Sequence, residues 1–264
     1  MTKSQDSVLK DMDFDSGYWD AVAQDMDEQP HYLDDLIGEQ KRQAHLKLIR
    51  KWIDGYRGSA ALKTDLFEEA FGPDHLITEL SHKQPLMIGM DISTKIVQRA
   101  RGKMKVGTGY VVCDVRALPF ADSSLDLIVS TSTLDHFADS QDINTSLEQF
   151  TRTISDRGIL IVTLDNGNNV YYPLIQLLVR LKLLPYHVGP TMSIDQLVAA
   201  LEKCGLQVTE TAALIHNPRI IITVAARAIR VLFPSRADKW ISAMLRLFER
   251  LEGQRSEYFT ACFM

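Results

Sequence analysis

The stretch Cys113–Phe137 constrains the fold more than any other part of the chain. An apolar run, Tyr110–Cys113, ends on the acid Asp114. A polar turn with Leu118-Pro119-Phe120 in its middle leads into a second apolar run, Leu125–Val129, which closes on Ser130, Thr131, Ser132 and Thr133. Two short apolar strands that each end in small polar or acidic residues predict the carboxyl edge of a parallel sheet. Open α/β sheets bind their ligands at that edge.

The rhythm on either side agrees. From Ser59 the candidate strands Ala61–Thr64, Leu86–Met90, Gly109–Cys113, Leu125–Ser130 and Gly158–Leu164 alternate with candidate helices Pro73–Leu80, Ser93–Lys103 and Thr145–Ile154. That alternation is the signal of βαβ units. Ser93 is the expected cap of the helix that follows Asp91-Ile92. Residues 1–57 read as a helical extension. Phe14, Tyr18, Trp19 and Val22 share one face of Asp11–Asp27, Pro30 interrupts, and His45–Ile53 is a second amphipathic helix. Such an extension either packs on the core or covers a substrate as a lid.

Residues 58–264 read as one α/β domain with helical insertions at 170–191 and 217–254. Val170–Leu184 is apolar and carries Arg180 and Lys182. Ser193–Cys204 is a helix with Ser193 as cap and Gly205 as stop. Leu206–Leu214 is strand-like. Ile220–Phe233 and Trp240–Leu251 are helices with Arg227, Arg230, Arg246 and Arg250 beside apolar faces, and Phe259–Met264 is a closing strand.

Composition excludes some functions. A net charge of −5 argues against a protein that wraps nucleic acid. Cys113, Cys204 and Cys262 lie in apolar contexts with no CxxC pair, which predicts buried thiols, no zinc site and a reducing cytoplasm. No metal is expected. The polar, acidic N-terminus has no signal-peptide core, and no apolar run reaches the ~18 residues of a spanning helix.

Asp91 and Asp114 each end a strand. A carboxylate at the tip of the second strand can accept from two ribose hydroxyls. One after the third strand can accept from the exocyclic amine of a base, with a neighbouring backbone amide serving a ring nitrogen. Each acid alone also reads as a helix cap. Their matched placement favours a nucleoside pocket.

The stretch Leu118–Ser130, LPFADSSLDLIVS, resembles the LPFxDxSFDxVxS signature of class I S-adenosylmethionine-dependent methyltransferases, type 11. The resemblance extends over residues 58–214 and the closing strand. It implies a Rossmann-like, doubly wound α/β sheet of seven strands, six parallel and one antiparallel, with S-adenosylmethionine as cofactor. By the same resemblance Asp91, with Ile92 beside it, binds the ribose. Asp114 takes the adenine amine, with the backbone amide of Val115. Thr131, Ser132 and Thr133 line the methionine and sulfonium region. His136 falls where the family often has a histidine.

One loop departs. The family's first loop is usually DxGxGxG, whose glycines admit the cofactor closely. Here it is Lys63-Thr64-Asp65-Leu66-Phe67-Glu68-Glu69-Ala70-Phe71-Gly72, with a single glycine, Gly72, and Lys63 at the position of the usual acid. Either the site has decayed, or a variant loop holds the methionine ammonium through Asp65 or Glu69, with Leu66 beside them. The second reading is favoured by the acids retained at three strand ends.

Methyl transfer is an in-line displacement whose main demand is alignment. For an oxygen acceptor His136 or Asp135 is the expected base, and His216 a second. The acceptor pocket must come from the insertions and N-terminal helices. Their Leu, Ile, Val, Tyr and Trp content predicts a bulky apolar or amphipathic small molecule, lipid-like at the extreme. The same helices permit peripheral contact with an anionic membrane or packing in a homodimer. Two rival readings stand beside this one. The first is a methyltransferase-like binding or assembly module without catalysis. The second is an NAD-dependent oxidoreductase or epimerase, disfavoured because no GxGxxG follows a strand and no Tyr-x-x-x-Lys pair is present.

Overall fold

The computed structural model describes residues 16–28, 34–72, 76–81, 85–103, 108–174, 177, 189, 191–215, 219–250 and 262–263. Helices α1 (Ser16–Glu28) and α2 (Asp35–Trp52) precede β1 (Ala60–Thr64). Then come α3 (Phe67–Phe71), α4 (Leu76–Ser81), β2 (Leu86–Asp91), α5 (Thr94–Lys103), β3 (Thr108–Val112), β4 (Leu125–Ser130), α6 (Ser140–Thr153) and β5 (Ile154–Val162). The remainder is β6 (Leu164–Asp165), α7 (Ile194–Lys203), β7 (Ala213–Leu214), α8 (Arg219–Leu232), α9 (Ala237–Glu249) and β8 (Cys262–Phe263).

β1 is the centre of a five-stranded parallel sheet in the order β3-β2-β1-β4-β5. The chain winds outward from β1 to β3, returns to β4 on the other side of β1, and winds out again to β5. The strand order therefore reverses between β1 and β4, which puts a crevice at their carboxyl ends. Parallel sheets are buried on both faces, and the residues obey this by alternation. Ala61, Met87, Leu127 and Val129 meet one core with residues of α1, α2, α4 and α5. Leu62, Met90 and Ile128 meet a second core with Leu147 and Phe150 of α6 and Leu197 of α7. Both N-terminal helices belong to the first core, through Val22, Ala23, Leu46 and Ile49. Phe14, expected on the same face as Tyr18 and Val22, lies outside the described residues.

The expected sheet of seven strands, six parallel and one antiparallel, is divided here. Besides the five parallel strands there is a separate three-stranded ladder, β6-β8-β7, with β8 antiparallel to both neighbours. Thr163 alone separates β5 from β6, and its N–H donates to the Ser130 carbonyl at 2.9 Å, where β4 ends. Beyond that residue the strand has no β4 to pair with and takes up β8 instead. The expected strand Leu206–Leu214 narrows to Ala213-Leu214. Of the expected closing strand, Cys262-Phe263 is the described part. Most of Val170–Leu184 is outside the described residues.

The caps follow the sequence. Ser93 Oγ accepts from Ile96 N at 3.1 Å. Ser193 and Gln196 form a capping box on α7, and Gly205 ends it at φ +89°. α6 begins five residues earlier than expected because Asp139 caps it, accepting from Gln141 N at 2.9 Å. Cys262 is buried, while Cys113 and Cys204 are partly exposed, contrary to expectation. Among the described residues no helix is long and apolar enough to cross a membrane.

Arg152 of α6 clamps the turn before β4. Its guanidinium donates to the carbonyls of Leu118 and Phe120, each at 2.8 Å, and to Asp122 Oδ1 at 2.7 Å. Arg152→Ala strands two carbonyls, so urea unfolding should show a loss of about 1–3 kcal/mol. An unchanged midpoint would mean that water replaces the clamp at no cost. At the opposite edge Asp126 accepts from Ser59 N at 2.7 Å and from Ser155 Oγ at 3.0 Å, joining β1, β4 and β5. These bonds, led by that of Ser59, hold its carboxyl below the usual range. Gly58 is required beside it, since a Cβ there would sit 2.6 Å from Asp126 Cβ.

Candidate functional site

The segment after β1 turns sharply at Asp65, which adopts φ +61°. Its Oδ1 accepts from Phe67 N at 2.7 Å, a local bond of the kind that lets Asp tolerate the left-handed region. α3 follows at once, where an open loop was expected. On the alternation of β1, Lys63 shares the side of Ala61 and is buried. Its ammonium donates to Glu69 Oε2 at 3.1 Å and to the Asp65 carbonyl. The other Glu69 oxygen accepts from Ile77 N at 3.3 Å. Glu68 pairs instead with Lys41 at 2.9 Å. Gly72 closes α3, and a Cβ there would meet Glu68 Oε2 at 2.0 Å.

Asp91, at the tip of β2, is buried. Its Oδ2 accepts from Leu66 N and its Oδ1 from Ser93 N, both at 2.9 Å. It therefore staples the first loop to the start of α5, with Ile92 between. An ionised carboxylate offers about four acceptor positions, so two amides do not exhaust it. Among the described residues, Glu69, Asp91 and the partly buried Asp65 share a single buried ammonium, that of Lys63. The imbalance is visible in their acidities. Burial raises Asp65 and Glu69 above the usual carboxylate range. Burial, reinforced by the charge of Asp65, pushes Asp91 up to about 7. The Cys113 thiol is pushed up to about 12 by burial and by Asp114 and Asp91.

Asp114 caps a short 3-10 turn, Val115–Ala117, accepting from Arg116 N at 2.8 Å. The Arg116 guanidinium grips the same carboxylate at 2.7 Å, reaches Asp142 at 2.9 Å and lies over the Phe137 ring. The capping role considered for both acids is realised at Asp114, while the helix after Asp91 is capped by Ser93. Val115 is buried in the second core.

At the end of β4, hydroxyls bridge the crevice. Thr64 Oγ1 lies 3.0 Å from Ser130 Oγ and 2.6 Å from Thr133 Oγ1. Thr131 is buried, and Ser132, at φ +56°, donates its N–H to Thr163 Oγ1 at 3.1 Å. A second 3-10 turn, Leu134–His136, follows. Asp135 is buried, and its carboxylate stands 3.9 Å from His136 Nε2. Gly189 presses on this turn: its N–H donates to the Asp135 carbonyl at 2.7 Å, and a Cβ would lie 1.9 Å from the Phe137 carbonyl oxygen. His216 lies outside the described residues.

α1 spans this edge. Trp19 meets His136 edge-on, with ring centroids 5.1 Å apart, and Phe67 at 6.4 Å. Asp20 accepts from Lys95 N at 3.1 Å and from Ser93 Oγ. One helix thus touches the loops after β1, β2 and β4. Residues 70–162 match the family model described as Methyltransferase domain. Over that segment the chain resembles a methyltransferase domain.

The match begins just after Lys63–Glu69, so all of the departing loop except Ala70, Phe71 and Gly72 lies outside it. Malonyl-[acyl-carrier protein] O-methyltransferase 1 of Coxiella burnetii is 34% identical over 83 residues, covering 31% of this chain. The chain spans 26% of that relative's length. Two solved structures share the fold. A chain of the Haloferax volcanii complex between the Trm112 methyltransferase activator and a methyltransferase gives TM-score 0.57 at 18% identity, covering 94% of this chain and 93% of that one. Phosphoethanolamine N-methyltransferase 2 of Haemonchus contortus, solved with S-adenosyl-L-methionine, gives 0.55 at 14%, covering 84% and 51%.

The fold gathers Asp65, Leu66, Asp91, His136 and Thr131–Thr133 at one edge. Sequence reasoning missed the partners that fix them: Asp20 on Ser93, Trp19 on His136, and Arg116 on Asp114. Spacing gave Trp19 a face but no target. A salt bridge two residues apart, as in Asp114-Val115-Arg116, was the one readable signal. Among the described residues no group of three or more His, Cys, Asp or Glu is arranged to hold a metal.

Proposed function

We propose that this protein is an S-adenosylmethionine-dependent methyltransferase whose acceptor is a small molecule, bulky and apolar or amphipathic, with a lipid-like molecule as the extreme case. The observation that carries this reading is the surplus of buried carboxylate at the carboxyl edge, beside a segment that matches the methyltransferase domain family. A cationic ligand with sugar hydroxyls suits such a surplus, by charge and by hydrogen bonding. When bound, S-adenosylmethionine supplies a methyl group activated by its sulfonium.

In this reading Asp91 accepts from the ribose hydroxyls with the acceptor positions that Leu66 and Ser93 leave open. Asp114 and the Val115 amide serve the adenine. Thr131, Ser132 and Thr133 line the methionine side. Of the first-loop acids we assign the ammonium to Asp65, because Glu69 already holds Lys63. His136 takes a proton from an oxygen acceptor, and Asp135, 3.9 Å away, stabilises the resulting imidazolium. The exposed Val170, Leu174 and Leu177 support an apolar acceptor side. We also read β6 as the continuation of β5, so that both ladders form the seven-stranded sheet of the class, with β8 as its antiparallel strand.

A second reading, a methyltransferase-like binding or assembly module without catalysis, is favoured by one feature. Lys63, Phe67 and Glu69 fill the loop that glycines usually leave open. Calorimetry with S-adenosylmethionine and S-adenosylhomocysteine separates the two: a folded sample that binds neither overturns the enzyme reading. With a membrane-lipid extract as acceptor source, His136→Ala should lower S-adenosylhomocysteine production by about 100-fold or more, the lower end for a general base. Cofactor affinity should change little. An equal loss in both would assign His136 a structural role.

A further inference from the structure

The hairpin of α8 and α9 carries far more apolar surface than its packing uses. It rests on α2 through Ile222, Ala226, Ile241 and Leu245, which pack with Ile37. Arg230 fastens it, pairing with Asp34 and, at 3.0 Å, with Asp238. On the outward side Ile221, Val224 and Val231 form a stripe along α8, and Trp240 and Leu247 form one along α9. Both run at helical spacing. They join at the turn, where Val231 and Leu232 are 79% and 68% exposed and the rings of Phe233 and Trp240 lie 4.6 Å apart. An apolar face of this continuity marks an interaction surface.

The charge on the hairpin selects the partner. Residues 219–250 hold seven Arg or Lys against two acids, a net +5, on a chain whose total is −5. The other residues therefore sum to −10. Arg236, Lys239, Arg246 and Arg250 are exposed beside the apolar stripes. A helix pair with an apolar face, aromatic residues at one end and a basic margin matches a monolayer of anionic lipid: the apolar side chains enter the acyl boundary and the cations meet headgroups. A second copy of this chain fits less well. An isologous contact sets the same patch against itself, which opposes +5 to +5. We propose that the α8–α9 hairpin docks the protein on an anionic lipid surface, without spanning it.

Co-sedimentation of the full chain with vesicles tests this. Vesicles of phosphatidylcholine alone are compared with vesicles in which roughly a third of the lipid is phosphatidylglycerol, an anionic headgroup. The protein should pellet with the anionic vesicles, and salt should release it. Val231→Asp/Leu232→Asp and, separately, Lys239→Glu/Arg246→Glu should each weaken partitioning by about tenfold or more. Their melting curves should match the parent, because these side chains are exposed. Three results overturn the proposal: no binding to anionic vesicles, equal binding to neutral ones, or variants that bind like the parent. A dimer at sedimentation equilibrium that Val231→Asp/Leu232→Asp dissolves, without vesicle binding, would also overturn it and assign the face to a second copy. The readout does not involve the cofactor, so it stands or falls apart from the methyl-transfer reading.

Discussion

Lys63→Met is expected to cost about 3–5 kcal/mol of folding stability, the range for removing one partner of a buried ion pair. Both side chains of the Lys63–Glu69 pair are buried, at 3% and 0% exposure, so little solvent screens the loss. Without the ammonium, Glu69 and Asp65 face each other and Asp91 without their main counter-charge. They respond by taking up protons, and their already raised pKa values rise further. The sign follows: the folded variant binds more protons than the unfolded chain, so its stability climbs as the pH falls. Urea unfolding at pH 8 should show the full deficit, and at pH 5.5 a smaller one. Adding Glu69→Gln should restore much of the loss, since the amide oxygen still accepts from Ile77 N. If Lys63→Met unfolds like the parent at both pH values, the ion pair is not what closes the loop.

Asp91→Ala should weaken binding of S-adenosylmethionine by about 1–3 kcal/mol, the magnitude for losing a charged hydrogen-bond partner. That corresponds to roughly 5- to 150-fold in dissociation constant. The parent should also carry a pH signature that the variant lacks. Asp91 titrates near 7, well above its ordinary value of 3.8. A ligand that donates hydroxyls to the ionised form must bind less tightly below that pH. The free protein behaves in the opposite sense: the stability it gains from protonated Asp91 is full below 3.8 and is lost as the pH rises through about 7. Calorimetry at pH 6, 7 and 8, beside melting curves of the free protein, measures both slopes. Unchanged affinity in Asp91→Ala would remove the ribose assignment.

These two residues mark where the sequence was legible and where it was not. β4 was read to the residue, Leu125–Ser130, because its apolar run is framed by a turn and a hydroxyl cluster. Ser93, Ser193 and Gly205 were readable because caps and stops are local chemistry. Alternation implied the βαβ units, and the doubly wound sheet was implied by the family resemblance. The first loop was not readable. Its departure from a glycine pattern was plain, yet nothing local showed that Lys63 and Glu69 would meet six residues apart across a short helix. Asp126 was read as part of a signature, and its bonds to Ser59 and Ser155 put it at the edge away from the candidate site. The contacts of Trp19 and Asp20 join residues more than 45 positions apart and depend on packing rather than pattern.

Besides the core contacts of Val22, Ala23 and Met26 and a hydrogen bond from Lys95 to Gln24, α1 is held over the crevice by a carboxylate on the start of α5 and an indole against His136 and Phe67. On the proposed reading these are the same groups an occupant must pass or displace. Arrival and departure are then paced by how often the helix lifts. Observed binding rates should level off as ligand concentration grows, at the frequency of that lifting. Trp19 would thus govern residence time without setting the affinity of the groups beneath it.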